Sequence, residues 1–346
     1  MRIFAPMSKI RLLIFLLIVL ASCEDRDERK HKLLLDGNQA LQNAQHRRAI
    51  DRYNEALRLD SCFADALNNL GVLFFERDRL DEALSYYSAA VTCDPQFIPG
   101  WLNRAKAYYE INQLYSALDD LNYVDKLRPD STYVLFSRGL VHTKLREYDA
   151  ALNDFGRALN KDPENPELWV NRGTVFYYLD SLDKADADFR KALQLNSKES
   201  NALNGLSLVY QKRNQSDSAL YNIEKALAID ENQPYYLNNR GYLKLLSGEL
   251  EAGVEDINRS IALDTENAWV YRNKGYYYYL TGEYNDAARL LEQSAQMDPF
   301  TEKVFLFLGN TYYKMDRAKD ACTAWEKSIS QGDKEARDLM ALHCDE

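Results

Sequence analysis

The chain has 346 residues, 46% of them hydrophobic and 28% charged, which excludes a disordered polymer. A formal charge of −10 argues against nucleic acid or an anionic lipid face as the main partner. Four histidines, and five cysteines with no CxxC pair, leave no basis for expecting a zinc site.

The first element is a leader. Arg2, Lys9 and Arg11 precede an unbroken apolar run, Leu12 to Leu20, that is too short to span a bilayer but suits a signal-peptide core. Leu20-Ala21-Ser22-Cys23 follows. It resembles the lipobox of bacterial lipoproteins, which implies cleavage after Ser22 and diacylation of Cys23. The competing reading is a plain secretory signal cut at the same place. Two acyl chains anchor stably where one is marginal. Residues 1–22 are therefore read as a lipoprotein signal peptide, and 23–29 as the lipidated cysteine and a charged tether of at most roughly 20 Å. Glu24 is not the aspartate that marks inner-membrane retention, so the expected site is the bacterial outer membrane. Periplasmic and surface-exposed placements both stay open.

From residue 30 onward a period of 34 governs the chain. Small residues recur at Gly37, Gly71, Ala105, Gly139, Gly173, Ser207, Gly241, Gly275 and Gly309. Four places before each stands a large residue, from Leu33 and Leu67 to Tyr271 and Phe305. Twelve places after each stands Ala49, Ala83, Ala117, Ala151, Ala185, Ala219, Gly253, Ala287 or Ala321. Sixteen places after stand Tyr53, Tyr87, Leu121, Phe155, Phe189, Ile223, Ile257, Leu291 and Trp325. Spacings of three and four are helical, and a small residue opposite a large one lets two helices approach closely.

This pattern resembles the tetratricopeptide repeat, W/L-x2-L-G/A-x2-Y then A-x3-F/Y-x2-A then P, over nearly all of residues 30–333. The resemblance implies an all-α, right-handed superhelical solenoid of nine antiparallel helix hairpins, starting at residues 30, 64, 98, 132, 166, 200, 234, 268 and 302. A capping helix within 334–346 closes it. The turn between helix A and helix B of each hairpin falls at Ala44, Asp78, Asn112, Arg146, Asp180, Asn214, Gly248, Gly282 and Asp316, mostly residues that tolerate a left-handed backbone. Asp60, Asp94, Asp162, Asn196, Asp230, Asp264 and Asp298 are expected to cap the N-termini of the following helices, with Pro95, Pro129, Pro163 and Pro299 beside them.

Positions are counted from the start of each repeat. Position 7 carries Arg104, Arg138, Arg172 and Arg240, and position 23 carries Asp120, Asp154, Asp188 and Asp256 in the same repeats. The first repeat reverses the signs with Asp36 and Arg52. Both positions face each other across the hairpin, so ion pairs between helices are expected in repeats 1, 3, 4, 5 and 7, with Lys274 reaching back to Asp256. A basic ligand-binding stripe is the alternative. Cys62 and Cys93 should lie at one end of a single hairpin, and Cys322 and Cys344 straddle the final turn. Each pair is either a disulfide, which an oxidising compartment permits, or two half-buried thiols.

The resemblance places the A helices on the concave face. Position 6 there holds Asn69, Asn103, Asn171, Asn239 and Asn273. This is similar to the asparagine ladder of the O-GlcNAc transferase repeats, whose amides hold an extended peptide backbone. An amide offers both donor and acceptor to a peptide unit. Hydrogen bonding of each Asn to its neighbouring helix is the other reading. Ser137, Gly205, Phe307 and Leu35 interrupt the ladder. Aromatics crowd the same face: Phe75, Tyr109, Tyr177, Tyr178, Tyr235, Tyr242, Trp269, Tyr276, Tyr279 and Tyr313. Tyr109, Tyr177, Tyr242, Trp269, Tyr276 and Tyr279 are assigned to ligand contact. The basic residues Lys106, Lys144, Lys212, Arg272, Lys303 and Lys314 are scattered and do not match the carboxylate clamp of chaperone-tail-binding repeats.

No phosphate loop, nucleophile elbow or metal motif occurs, and nine repeats leave no length for a catalytic domain. The expectation is a scaffold, not an enzyme, needing no cofactor. It is anchored by lipid only, binds a protein or peptide and no nucleic acid, and has an oligomeric state the sequence does not fix. An assembly factor or pilotin of an outer-membrane machine, and a cell-wall or glycan binder, are the alternatives.

Overall fold

The structure is a computed structural model that describes residues 26–344, so the expected leader, residues 1–22, and Cys23 lie outside the described residues. Among those residues every regular element is an α-helix, and no helix is long and apolar enough to cross a membrane. The chain divides into two units, one ending at Pro163 and one starting at Glu164. The first holds α1 (26–42), α2 (His46–Leu59), α3 (Ala64–Phe75), α4 (Leu80–Cys93), α5 (Ile98–Glu110), α6 (Leu114–Leu127), α7 (Thr132–Lys144) and α8 (Tyr148–Lys161). The second holds α9 (Pro166–Tyr178), α10 (Leu182–Leu195), α11 (Ser200–Lys212), α12 (Ser216–Ile229), α13 (Pro234–Leu246), α14 (Leu250–Leu263), α15 (Ala268–Thr281), α16 (Tyr284–Met297), α17 (Val304–Lys314), α18 (Ala318–Ser330) and α19 (Lys334–His343).

Odd-numbered helices through α17 are the A helices and even-numbered ones the B helices. All nine A–B turn residues have positive φ, from 55° at Ala44 and Asp180 to 85° at Gly248 and Gly282. A left-handed residue there reverses the chain while its N–H and the next satisfy the last carbonyls of helix A, as where Gln113 N donates to Tyr108 O at 2.8 Å.

The small residue of helix A meets the large residue of helix B as the spacing predicts. Tyr53, Phe155, Ile223, Ile257 and Leu291 have no exposed surface, and the alanines one turn earlier on the B helices, Ala49 to Ala321, have none either. A Cβ at Gly71 would stand 2.5 Å from the Tyr87 ring, and one at Gly139 2.6 Å from Phe155. No side chain fits there without moving an immobile ring. At the C-terminus, α19 buries Ala336 and packs Leu339 and Met340 against Trp325 and its neighbours. Cys62 is bonded to Cys93 and Cys322 to Cys344. The first bond closes the open end of the α3–α4 hairpin, and the second ties the end of α19 to α18. Loops of 31 and 22 residues correspond to about 3–4 kcal/mol of loop-closure entropy each.

Four of the expected ion pairs form, each with two parallel bonds. Arg104, Arg138, Arg172 and Arg240 donate through Nε and Nη2 to Asp120, Asp154, Asp188 and Asp256 at 2.6–2.8 Å. Arg138 also reaches Asn122 and Asp125 of the preceding helix B, at 3.0 and 3.1 Å, so it links two hairpins. Burial raises the Asp256 carboxyl, but bonds from Arg240 and Lys244 outweigh it and hold the group below the usual carboxylate range. Asp120 has Arg104 alone, and there burial prevails and the carboxyl sits above that range.

Three expectations are corrected. Arg52 does not pair with Asp36. With the long side chain on helix B, it finds Glu55 one turn along its own helix at 2.8 Å. Lys274 does not reach Asp256, whose oxygens are taken by Arg240 and by Lys244 at 2.8 Å. The inter-repeat aspartates do not cap the following helices. Asp60, Asp94, Asn196, Asp264 and Asp298 end helix B in extended conformation, and each side chain accepts the N–H two residues on, at 2.9–3.1 Å. These are Asx turns that start the loop. The true N-cap stands three residues after Asp60, Asp94, Asp162, Asn196 and Asp264 and five after Asp298, at Lys303, and it uses its side chain at Asn165 and Asn267.

Replacing Gly139 with alanine should lower stability by about 1–3 kcal/mol in urea unfolding, whereas Gly156→Ala, on α8 with nothing within 4 Å, should raise it by about 0.5–1 kcal/mol. Arg138→Leu should cost about 3–5 kcal/mol by stranding the buried Asp154. Adding Asp154→Asn should restore most of that loss, because repeat 6 already carries Leu206 and Asn222 at these positions.

Candidate protein-binding surface

A helices of successive repeats touch, α3 with α5 in the first unit and α9, α11, α13, α15 and α17 in series in the second. They form the tighter inner layer, so their inward residues make the inner face.

The position-6 asparagines lie on that face and build amide relays. In the first unit Asn103 donates to Asn68 at 2.8 Å, Asn68 to Asn69 at 3.4 Å, and Asn69 to Asn38 at 2.8 Å. In the second, Asn273 donates to Asn238 at 2.8 Å, Asn238 to Asn239 at 3.5 Å, and Asn239 to Asn204 at 2.8 Å. Asn171 stands apart and donates to Glu167 O in its own helix at 2.8 Å. The position-5 asparagines Asn68, Asn204 and Asn238, with Asn38 at position 9, complete the relays and were not picked out from sequence. The signal of the position-5 set is an Asn placed 35 residues before a position-6 Asn.

A second motif recurs on the same layer: a lysine lies over an aromatic ring of the preceding repeat. Lys106 Nζ is 4.9 Å from the centre of Phe75, Lys144 4.6 Å from Tyr109, and Lys212 4.5 Å from Tyr177. The rings all occupy position 12.

The inner face of the second unit is filled by its own side chains. Lys303 has φ 61°, so α17 begins at Val304, and the turn before it delivers Glu302 inward. The Glu302 carbonyl accepts from Arg272 Nη1 at 2.9 Å, and its carboxylate lies 3.6 Å from Lys212. The Arg272 guanidinium is 4.4, 4.9 and 5.8 Å from the ring centres of Tyr242, Trp269 and Phe307, while its Nε donates to Asn273 Oδ1 at 2.8 Å. Tyr276 stacks on Phe307 with centres 4.4 Å apart and on Tyr279 at 6.3 Å. Burial pushes the Tyr276 hydroxyl up to about 12, and burial followed by the nearby Glu302 charge holds Tyr177 well above its ordinary value. Among the described residues no three His, Cys, Asp or Glu side chains group as metal ligands.

Models of the tetratricopeptide repeat match residues 34–96, 139–180, 166–199 and 267–297. The chain carries tetratricopeptide repeats. Its fold is similar to that of a tetratricopeptide repeat protein from Parabacteroides merdae, at 21% identity and TM-score 0.59, over 72% of this chain and 98% of that one. It is similar to the Cut9–Hcn1 hetero-tetramer of the APC/C at 18% identity and TM-score 0.62, over 87% of this chain and 59% of that one. It is similar to the human IFIT1 dimer with m7Gppp-AAAA at 20% identity and TM-score 0.56, over 77% of this chain and 68% of that one. At these identities the likeness concerns the fold. No curated protein matches the sequence.

On these tetratricopeptide repeats the sites assigned from sequence separate into two sets. Asn273 has no exposed surface, and Tyr177 and Tyr242 keep only 8% and 6% of theirs. Aromatic packing around Arg272 takes these three out of reach of a ligand, which corrects their assignment as contacts. Asn69, Asn103, Asn171, Asn239, Tyr109, Trp269, Tyr276 and Tyr279 stay half-buried and keep one accessible edge. Arg272→Met should cost about 1–3 kcal/mol in urea unfolding, because it leaves Asn273 Oδ1 and the Glu302 carbonyl without a donor. Lys212→Met should cost under about 1 kcal/mol.

Proposed function

We propose that this chain is a lipid-anchored scaffold of the bacterial outer membrane that grips a segment of a protein partner on the inner face of its A helices. The observation that carries the reading is the strip of half-buried amides and rings with exposed lysines on α3, α5 and α7. Rigid aromatics beside amides and cations make a surface that recognises peptide at low entropic cost. Tetratricopeptide repeats generally bind proteins, and the fold is typically a non-catalytic one. The lipobox-like Leu20-Ala21-Ser22-Cys23 supports the anchor, and two disulfides suit an oxidising compartment outside the cytoplasm. The capped RNA in the IFIT1 structures belongs to those proteins. Here a charge of −10 favours a protein. An assembly factor of an outer-membrane machine is the same reading with one obligate partner. A glycan partner would draw on the same rings.

Affinity capture from the native cells should yield a defined partner with the lipidated chain and lose at least about tenfold of it with Asn103→Ala plus Tyr109→Ala, provided the variant melts at the wild-type temperature. Undiminished capture by the variant would move recognition off the inner face, and capture only by purified cell wall would replace the protein partner with a glycan. Cys23→Ala should release the chain from the membrane fraction. A variant that stays membrane-bound would contradict the anchor.

A further inference from the structure

The three lysine-over-ring rungs share a position-12 ring, with the lysine at position 9 for Lys106 and at position 13 for Lys144 and Lys212, but they are not equally satisfied. In the second unit Lys212, above Tyr177, has two carboxylates beside it, Asp180 at 3.5 Å and Glu302 at 3.6 Å. In the first unit Lys106, above Phe75, and Lys144, above Tyr109, are exposed, and no carboxylate among the described residues lies within ion-pair distance of either. This is a chain with 53 acidic and 43 basic residues, in which an acidic neighbour is the common case. The same rung, where its own chain fills it, holds carboxylates.

We propose that the inner face of the first unit binds an extended acidic peptide, with one carboxylate on Lys106 and a second on Lys144. This deepens the scaffold reading above and rests on it. Each ring fixes its lysine stem and presents the ammonium inward, so less side-chain freedom is lost when a carboxylate arrives. Asn103, one turn before Lys106 on α5, spends one N–H on Asn68 and keeps its carbonyl and second N–H without a partner among the described residues. It is placed to take one peptide N–H and one peptide carbonyl. Lys106 and Lys144 stand at positions 9 and 13 of the A helices of adjacent repeats, α5 and α7. Four positions along a helix rise about 6 Å and neighbouring helices add on the order of 10 Å sideways, while an extended chain rises about 3.3 Å per residue, so the peptide chosen as probe carries acids roughly three residues apart. This is one ammonium per rung backed by a ring, a different arrangement from a clamp that closes several cations on one terminal carboxylate.

The test uses the mature chain with both disulfides intact and a fluorescein-labelled twelve-residue peptide bearing Glu at every third position among Gly and Ser. The expected result is saturable binding that weakens at least tenfold when Glu is replaced by Gln, weakens at least tenfold with Lys106→Gln plus Lys144→Gln, and falls as salt rises. Lys212→Gln, in a rung already occupied, should leave affinity within twofold. Because both lysines are exposed, the double variant should melt as wild type does. Equal binding of the Gln peptide, or unchanged binding by the double variant, overturns the proposal. Tighter binding of a twelve-nucleotide single-stranded DNA than of the Glu peptide overturns the assignment to peptide. If neither peptide binds while native capture still yields a partner dependent on Asn103 and Tyr109, this inference fails and the scaffold reading stands. If capture also yields none, the scaffold reading fails as well.

Discussion

Everything in this chain depends on one contact: a residue with little or no side chain on helix A pressed against a large buried side chain sixteen places later on helix B. Gly71 against Tyr87 and Gly139 against Phe155 leave no room for a methyl group. The contact sets the distance between the two helices of a hairpin, and the left-handed residue midway sets their reversal. A hairpin so formed still has an apolar flank, which only the next hairpin can cover. Repetition is thus a physical necessity, and the flank left at the end is covered by α19, held there by Cys322–Cys344.

The arginine–aspartate pairs refine that arrangement. Buried ion pairs contribute little net stability, but removing one member is costly, so they penalise any packing that separates them. Leu70, Leu206 and Leu308 show that the apolar solution is also accepted at position 7. Arg138, which reaches back to Asn122 and Asp125 as well as across to Asp154, shows how a charge can fix the angle between neighbouring hairpins. The amide relays do similar work nearer the inner face, joining A helices of successive repeats.

Much of this was legible in the sequence, because features that recur every 34 residues are tested nine times over. Helix pairing, turn positions and four ion pairs all follow from periodicity. What stayed hidden was whatever breaks the period or joins positions of different index. The relays join position 6 to position 5 or 9 of the repeat before, so reading one column at a time misses them. Asp60 and its equivalents were read as caps because an aspartate before a helix fits either role, and only the backbone conformation decides between a cap and an Asx turn. The Arg272 cluster depends on a single left-handed residue, Lys303, that places Glu302 against Arg272 and Lys212. No local residue preference announces a lysine in that conformation. Nor could the sequence separate rings that pack, Tyr177 and Tyr242, from rings that keep an accessible edge, Tyr109 and Tyr279.

The outcome is two inner faces of different character: in the second unit a face closed by its own aromatics, and in the first a strip whose lysines have no carboxylate partner among the described residues. The central claim is that recognition belongs to the A-helix layer. Hydrogen–deuterium exchange of the chain, alone and with its captured partner, tests it most directly. The account predicts added protection in A-helix peptides, chiefly α3, α5 and α7, with little change in α4, α6 and α8. Protection confined to the B helices would contradict it.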